Sequence, residues 1–339
     1  MSTLKDRIQA LEKLGHFFRN VTAQEALYSP LFEAIEAAKQ QNGWFQKEAC
    51  LQAIYAWGEA LRPESIAQWI VGYSIEENKS PKTIALILAG NIPMVGWHDL
   101  ICVWISGNKA LVKCATKDRI LIPFLVGLDP FFQSMTSFSE DRLVDFDAVI
   151  ATGSNNAARY FDYYFSKYPH IIRRNKNGIA VLDGSESKED LEGLGRDILQ
   201  YYGLGCRNVS KLFLPKGYDL NLIFGGLYPH RDVIKMDKYA NNYDYNKAVF
   251  LMSEFDFLEN GFFILRENNA IASPIATAHY EYYEEVNTLR KNLEEKQEEI
   301  QCVVTHTNVA GGISFGSAQR PALWDYADGV DTLSFLLSL

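Results

Sequence analysis

The sequence predicts an α/β protein built on a doubly wound parallel sheet. One observation is an uninterrupted apolar run of strand length over residues 83–89, ended by Gly90, which is typical of a strand covered on both faces. A second is that further strand-like runs, over 110–114, 147–152 and 171–172, follow it at intervals filled by helix-like segments. Strands that alternate with helices of about 10–15 residues imply right-handed crossovers, so these strands are expected to lie parallel in one sheet.

Helices are expected before and between these strands. Apolar residues recur at helical spacing before Pro81, so the N-terminal part of the chain is predicted to be helical. Further helices are predicted over 96–105, 118–128 and 155–168, with Ser154 as the N-cap of the last one.

A second α/β unit is expected beyond Gly178. Strands are predicted over 179–182 and 211–214, with a helix over 188–202 between them. The charged stretch 280–300 is predicted to be a helix with a solvated face.

Composition excludes several classes of protein. With 339 residues, 47% of them hydrophobic, the chain can bury a large core, so disorder is not expected. The net charge of −9 argues against nucleic-acid binding, which needs a basic face. The least polar stretch, residues 83–97, is too short and too interrupted to span a membrane.

The N-terminal pattern and the cysteines indicate the cellular compartment. The N-terminus has the pattern of an amphipathic helix, without the apolar core of a secretory signal. The five cysteines are odd in number and form no CxxC pair, which argues against a disulfide framework and against a zinc site. We therefore expect a cytoplasmic protein with reduced thiols.

Cys206 is the first candidate for chemistry. It follows Gly203-Leu204-Gly205 and precedes Arg207 and a predicted strand, so glycines can hold its thiol at a cleft beside backbone N–H groups. The adjacent Arg207 can favour a thiolate. The same context suits a small buried residue in a turn, and the local pattern leaves both roles open.

Polar or small residues follow three successive predicted strands. Asn91 comes after the first strand, Lys113 ends the second, and Gly153-Ser154 follows the third at a helix N-terminus. Ligands of open α/β sheets bind beyond the carboxyl ends of the strands, and a helix N-terminus binds anions. Each signal is weak alone, and Asn91 also suits a turn. The dinucleotide fingerprint G-x-G-x-x-G, the P-loop and H-E-x-x-H do not occur.

These residues occur in the order used by the aldehyde dehydrogenase superfamily. The amino-acid sequence around these residues resembles one branch, the fatty acyl-CoA reductases that supply aldehyde to bacterial luciferase. The resemblance extends from about Lys82 to the C-terminus. Three stretches carry this resemblance: Leu88-Ala89-Gly90-Asn91-Ile92-Pro93, Tyr202-Gly203-Leu204-Gly205-Cys206-Arg207-Asn208, and Phe315-Gly316 with Pro321-Ala322-Leu323-Trp324-Asp325-Tyr326-Ala327-Asp328-Gly329-Val330-Asp331-Thr332.

The resemblance implies an NADPH-dependent acyl-CoA reductase, with NADH as the other possible cofactor. Cys206 would form a thioester with the acyl group, and the Asn91 amide with the Cys206 N–H would stabilise the oxyanion. Lys113 would contact the adenosine ribose or its 2′-phosphate, and Gly153-Ser154 would lie beside the pyrophosphate. The product would be a long-chain aldehyde.

The resemblance also implies an organisation for the chain. It assigns residues 1–178 to N-terminal helices and the cofactor-binding domain, 179–312 to the catalytic domain, and 313–339 to a tail that packs back or lies at an oligomer interface. A homo-oligomer is expected, and an acyl-transfer enzyme is a candidate partner.

Two departures from the superfamily pattern bear on this interpretation. Hydrolytic members carry Glu-Leu-Gly-Gly where this chain has residues 173–178, which include no carboxylate, so water should deacylate the enzyme slowly. That basic segment suits either a solvated loop or contact with CoA phosphates. The usual Glu-x-Phe-Gly-Pro also has no clear match, with Glu254 and Glu259 as candidates for its glutamate.

Two other functions remain open from the sequence. A Cys-dependent acyltransferase or thioesterase would need a histidine near Cys206, for which His98, His279 and His306 are candidates. A subunit whose main role is assembly would not need Cys206 at all.

Overall fold

The computed structural model describes residues 3–22, 24–75, 80–307 and 311–339, which form two compact units. The first unit comprises residues 1–174 together with 321–339, and the second comprises 175–320. In the described part of the chain, no helix is both long enough and apolar enough to cross a bilayer.

Four helices open the first unit, as the apolar spacing predicts. They are α1 (Leu4–Arg19), α2 (Ser29–Gln41), α3 (Lys47–Ala60) and α4 (Pro63–Ile70). Thr3 and Asp6 form a capping box at the start of α1, and Leu11, Leu14 and Phe18 bury one face of that helix.

The first unit contains a parallel sheet of five strands in the order β3-β2-β1-β4-β5. The strands are β1 (Thr83–Ile87), β2 (Lys109–Lys113), β3 (Thr136–Phe138), β4 (Ala148–Thr152) and β5 (His170–Arg173). The helices between them are α5 (Trp97–Ile105), α6 (Leu121–Val126), α7 (Pro130–Ser134) and α8 (Asn155–Phe165). The predicted doubly wound sheet is confirmed, and its strand order reverses between β1 and β4.

The second unit contains a sheet of seven strands in the order β12-β11-β6-β7-β10-β9-β8. The strands are β6 (Asn177–Val181), β7 (Val209–Pro215), β8 (Leu258–Glu259), β9 (Ile264–Glu267), β10 (Thr277–Tyr283), β11 (Ile300–Thr305) and β12 (Gly312–Ile313). Among these, only β8 pairs antiparallel, with β9. The helices are α9 (Lys188–Leu199), α10 (Leu220–Leu227), α11 (Asp237–Met252) and α12 (Val286–Glu295).

The helix predicted over 280–300 is wrong at both ends. The run from Thr277 to Tyr283 is strand β10, and Ile300 begins strand β11, so only the middle of the stretch is helical. Three tyrosines in β10 favour a strand, and β10 pairs in parallel with β7. Tertiary pairing therefore outweighs the charge pattern at the two ends.

The C-terminal segment belongs to the first unit, where it ends in α13 (Thr332–Leu337). The Tyr326 hydroxyl accepts from Trp69 Nε1 at 2.7 Å and lies 2.8 Å from the Tyr73 hydroxyl. Tyr73 in turn donates to Asp331 at 2.8 Å. The stretch from Pro321 to Thr332, one of those that carry the sequence resemblance, therefore makes structural contacts within this unit.

Arg173 does not lie in a solvated loop or on a surface open to CoA. It is buried at the end of β5, where its guanidinium donates to Asp99 at 2.7 Å and to Thr332 at 2.9 Å. Its neighbour Arg174 pairs with Asp162 in an exposed ion pair. Only the tertiary structure shows that one of these two adjacent arginines is buried and the other is exposed.

Candidate functional site

The first unit brings Asn91, Lys113, Gly153 and Ser154 to one edge of its sheet. Ile87, at the end of β1, is level with Lys113 on one side and with Ala151 on the other. All of the predicted cofactor residues therefore follow or end neighbouring parallel strands at their carboxyl ends. Asn91 and Gly153-Ser154 flank the point where the strand order reverses, which is where open α/β sheets bind ligands.

The N-terminus of α8 is suited to an anion. Ser154 caps the helix as predicted, its hydroxyl accepting from the Ala157 N–H at 3.2 Å, and the first turn contains no acidic residue. A Cβ on Gly153 would lie 2.9 Å from Ala157 Cβ and 2.9 Å from Phe161 Cε2. Gly153 therefore permits close packing of the strand end on α8, and the exposed start of the helix carries partial positive charge.

The Lys113 ammonium lies at the end of β2 and donates to the Asp141 carbonyl oxygen at 2.8 Å. An ammonium has three N–H donors, so this bond uses one of them. The contact holds the cation at the same sheet edge as the start of α8.

Asn91 is exposed in the loop between β1 and α5. Asn42 anchors this loop by donating to the Gly90 carbonyl at 3.1 Å. Gly90 packs against Asp118, whose Cβ would be 3.2 Å from a Cβ at Gly90. Burial raises the pKa of Asp118 to about 7, against the opposing effect of the Leu121 and Ile122 N–H groups.

Cys206 is the only exposed cysteine of the five, all of which lie in the described part of the chain. Cys50, Cys102 and Cys302 are buried, and Cys114 is half-buried. Burial raises the pKa of Cys50 and of Cys114 to about 12, so these thiols are poor nucleophiles at neutral pH. Solvent access therefore distinguishes Cys206 from the others and rules out the buried-turn alternative.

The chain approaches Cys206 through an unusual backbone. Helix α9 ends at Leu199, and Tyr201, Tyr202 and Gly203 then have φ angles of 52°, 61° and 75°. Two consecutive non-glycine residues in the left-handed region carry a conformational cost, and such backbone clusters at functional sites. This turn also ends the predicted 188–202 helix earlier than expected.

The Asn208 side chain ties the cysteine loop, residues 203–208, to the end of α9. Its Nδ2 donates to three carbonyl oxygens, those of Asp197 at 3.0 Å, Ile198 at 3.3 Å and Gln200 at 2.8 Å. Its Oδ1 accepts from the Gly205 N–H at 2.8 Å. Asn208 is buried, so these bonds are shielded from water.

Gly178 supports the same loop from strand β6. Its N–H donates to the Asn208 carbonyl at 3.0 Å. A Cβ at this position would lie 2.6 Å from the Arg207 carbonyl oxygen and 2.8 Å from that of Asn208. Only glycine allows this approach, because both obstructing atoms belong to the backbone.

Arg207 and Asp197 connect the loop to residues 316–318. Arg207 Nε donates to the Ala318 carbonyl, while the Asp197 carboxylate accepts from the Gly316 N–H at 2.6 Å and the Ala318 N–H at 2.9 Å. Burial raises the pKa of Asp197 to about 6, and the two N–H groups oppose that shift. The Arg207 side chain is thus engaged in holding this neighbouring segment.

The structure distinguishes the two candidate glutamates of the second unit. Glu259 accepts from the Tyr243 hydroxyl at 2.5 Å, Lys247 Nζ at 2.9 Å and the Gly261 N–H at 2.6 Å. The hydrogen bonds from Tyr243 and Lys247 lower the pKa of Glu259 to about 2. Glu254 is exposed, with φ of 54°.

Each of the three candidate histidines contacts a group other than Cys206. His306 pairs with Asp190 at 2.8 Å near the start of α9, whereas Asn208 holds the cysteine loop at the end of α9, roughly 14 Å further along the helix. Burial lowers the pKa of His98 to about 4, and its Nε2 lies 2.9 Å from the Leu323 carbonyl. Burial also lowers the pKa of His279, which contacts the Ala270 carbonyl.

Sequence reasoning missed Asn208, Gly178 and Asp197 as supports of the cysteine loop. The only signal for Asn208 was its place in the stretch that ends Cys206-Arg207-Asn208. For Gly178 and Asp197 the partners are remote in sequence, so no local pattern identifies them.

Among known proteins, the chain has a curated relative at low sequence identity and many solved structures that superpose on it. No protein-family model matches the chain. It is 23% identical over 263 residues to long-chain acyl-protein thioester reductase 2 of Photobacterium leiognathi, a match that covers 70% of this chain. The chain spans about half of that reductase, since the match covers 55% of its length.

Several aldehyde dehydrogenase structures superpose on most of the chain. Indole-3-acetaldehyde dehydrogenase AldA of P. syringae, in complex with NAD+, has a TM-score of 0.60 at 11% identity, covering 91% of this chain and 82% of its own. Aldehyde dehydrogenase 21 of Physcomitrella patens has a TM-score of 0.62 at 11% identity, covering 99% and 89%. These likenesses establish the fold.

The sequence match and the structural matches agree with the expectation from the motifs. The chain has the aldehyde dehydrogenase fold, and its resemblance in sequence to the long-chain acyl reductases is confirmed.

Proposed function

We propose that this chain is an acyl-thioester reductase that converts a long-chain fatty acyl-CoA to the aldehyde with NADPH. The observation that carries the proposal is the exposed Cys206 thiol on a loop held by buried hydrogen bonds, in a chain with the aldehyde dehydrogenase fold. A nucleophile needs both features, access to the substrate and a fixed position.

Acylation uses the thiolate of Cys206. Its Sγ attacks the thioester carbonyl carbon, the new S–C bond forms, and the bond to the CoA sulfur breaks, so that CoA leaves as a thiolate and takes up a proton. The Cys206 N–H and the Asn91 amide are the proposed donors to the oxyanion.

The first unit supplies the proposed cofactor site. Its residues fit a dinucleotide because the start of α8 is exposed, capped by Ser154 and free of acidic residues in its first turn. Gly153 and Ser154 would lie beside the pyrophosphate, with Lys113 at the ribose or its 2′-phosphate. A bound reduced nicotinamide would supply the hydride that converts the acyl carbon to the aldehyde and releases the Cys206 sulfur.

The segment between β5 and β6 supports reduction over hydrolysis. Residues 174–176 are Arg174, Asn175 and Lys176, so a carboxylate that would activate water is absent from this described segment. We expect the acyl-enzyme to persist until it meets hydride or a thiol.

The substrate class is an acyl thioester. The Photobacterium relative is named for an acyl-protein thioester, so an acyl group delivered by a partner protein is the second form in which the substrate can arrive. Both forms present the same carbonyl to Cys206.

Intact-mass spectrometry tests this proposal. We expect incubation with palmitoyl-CoA to add one palmitoyl group to the wild type and to Cys114→Ala, and none to Cys206→Ala. Adding NADPH should remove the adduct and produce hexadecanal. Cys114 is the matched control because it is the other cysteine with some exposure.

Two results would contradict the proposal. An adduct on Cys206 that is stable to NADPH and NADH would indicate an acyltransferase. An adduct on Cys206→Ala would show that another residue reacts.

A further inference from the structure

The C-terminal end of α9 has a cap that comes from outside the helix. The last carbonyl groups of a helix have no partner within it, and residues after the helix usually satisfy them locally. Here Gln200 leaves the helix with ψ of 140°, and the Asn208 Nδ2 reaches back to the Asp197, Ile198 and Gln200 carbonyls. The two N–H groups of one amide are therefore shared among three carbonyl oxygens at the end of the helix.

The same amide holds the backbone next to Cys206. Through Oδ1 it accepts the Gly205 N–H at 2.8 Å, one residue before the thiol, and the Asn208 N–H closes the turn onto the Gly205 carbonyl at 3.0 Å. The peptide group that presents the Cys206 N–H lies between Gly205 and Cys206, within this closed turn.

A small cavity lies beside Asn208. Its volume is about 30 Å³, and Tyr202, Gly203 and Asn208 form part of its lining. That volume suits a water molecule or two. The left-handed turn at Tyr201 and Tyr202 precedes the loop that the Asn208 hydrogen bonds hold.

We propose that Asn208 is the positioning residue of Cys206, fixing the Gly205–Cys206 peptide so that the Cys206 N–H points at the oxygen of an attacked carbonyl. The inference deepens the proposed function and rests on Cys206 as the nucleophile. Asn208 itself need not touch the substrate.

Two electrophiles can distinguish the positioning of the Cys206 N–H from the solvent access of the Cys206 thiol, because only one of them forms an oxyanion. Iodoacetamide alkylates a thiolate by displacing iodide and develops no oxyanion. p-Nitrophenyl acetate acylates it through a tetrahedral oxyanion, breaking the ester C–O bond and releasing p-nitrophenolate. The ratio of the acylation rate to the alkylation rate at Cys206 therefore reports oxyanion stabilisation and cancels changes in exposure or in the amount of folded protein.

The informative substitution is Asn208→Asp, which keeps the shape and Oδ1 but loses both Nδ2 donors. We expect the acylation-to-alkylation ratio to fall roughly 100-fold, the size of effect typical of a reacting group displaced by about 1 Å and the lower end of that for a lost oxyanion donor. Asn208→Ser, which retains one hydroxyl donor, should show a smaller fall and serves if the aspartate variant does not accumulate.

Asn246→Ala is the matched control. Asn246 is another buried asparagine of the second unit, and its Nδ2 donates to the Ile275 carbonyl at 2.9 Å and not to the cysteine loop or the end of α9. It should lose stability while its ratio stays within about twofold of wild type.

Each result either supports or overturns the positioning role of Asn208. A fall confined to the Asn208 variants supports the positioning role. An unchanged ratio in folded Asn208→Asp or Asn208→Ser, or an equal fall in Asn246→Ala, overturns it. If wild type reacts with p-nitrophenyl acetate but not with palmitoyl-CoA, the proposed function fails while the role of Asn208 is still decided by the ratio.

Discussion

The two units hold their predicted functional residues in different ways. In the first unit, Asn91, Lys113 and Gly153-Ser154 lie where neighbouring parallel strands end, so strand order alone brings them to one edge. In the second unit, Cys206 lies in a loop whose shape depends on buried side-chain and backbone contacts with Asn208 and Gly178.

This difference indicates which substitutions should impair each proposed activity. Cofactor residues at strand ends should depend on their own chemistry, since the sheet places them. Reactivity of Cys206 should depend on buried residues that never meet the substrate. The first unit also has a buried polar network, but it holds the C-terminal segment and not the predicted cofactor residues.

The largest effect should follow removal of that network. Arg173→Met leaves Asp99 buried without its cation, which should lower the free energy of unfolding by about 3–5 kcal/mol. Urea denaturation measures this, with Arg174→Met as the control, because the exposed Arg174–Asp162 pair should contribute no more than about 1 kcal/mol. Equal losses in both variants would contradict the difference in burial.

Gly178→Ala should affect the second unit next. Its Cβ would meet the Arg207 and Asn208 carbonyl oxygens, so the cysteine loop must shift. We expect acylation of Cys206 to slow roughly 100-fold, equivalent to about 2.7 kcal/mol. Gly225→Ala is the control, because a Cβ there meets nothing within 4 Å and a helical alanine should stabilise by up to about 1 kcal/mol. Rapid acylation in Gly178→Ala would show that the loop tolerates displacement.

Lys113→Ala tests whether a residue at the end of a strand contributes to cofactor binding through its own charge. Loss of one cation from a phosphate or ribose contact should raise the KM for NADPH roughly tenfold, about 1.4 kcal/mol, while acylation by palmitoyl-CoA without NADPH stays unchanged. Lys109→Ala, at the opposite end of the same strand, should leave the KM unaltered. A change in acylation would contradict separate roles for the two units.

The effect of Asp118 should be visible as a pH dependence of stability. The folded state keeps its proton up to about pH 7, whereas the unfolded chain releases it near pH 4. The folded state therefore binds more protons in this window, and stability falls as pH rises from about 4 to 7, by at most about 1.4 kcal/mol per pH unit.

Asp118→Asn removes this contribution. Its stability relative to wild type should increase from pH 4 to 7 and then remain constant, as measured by urea midpoints across the range. A relative stability independent of pH would show that Asp118 is not protonated in the folded state.

Much of the fold follows from local pattern. Apolar runs of strand length separated by helices predicted β1, β2, β4, β5, β6 and β7, since a strand buried on both faces must be apolar throughout. The short strand β3 and the strands β8 to β12 were not predicted. In β10, Glu281 begins a charged stretch that resembles a helix, but pairing with β7 makes β10 a strand. Ile300, the last residue of the predicted helix, begins β11, which pairs with β6.

The sequence by itself determined four of the five strands of the first sheet, the strand-end positions of Asn91, Lys113, Gly153 and Ser154, the N-cap at Ser154 and the candidacy of Cys206. These depend on residues close together in the chain, whose periodicity and turn chemistry act locally. The tertiary structure decided which arginine is buried and which cysteine meets solvent. It alone shows that Asn208, Gly178 and Asp197 hold the cysteine loop, because their contacts join atoms up to 121 residues apart and burial is a property of the folded chain.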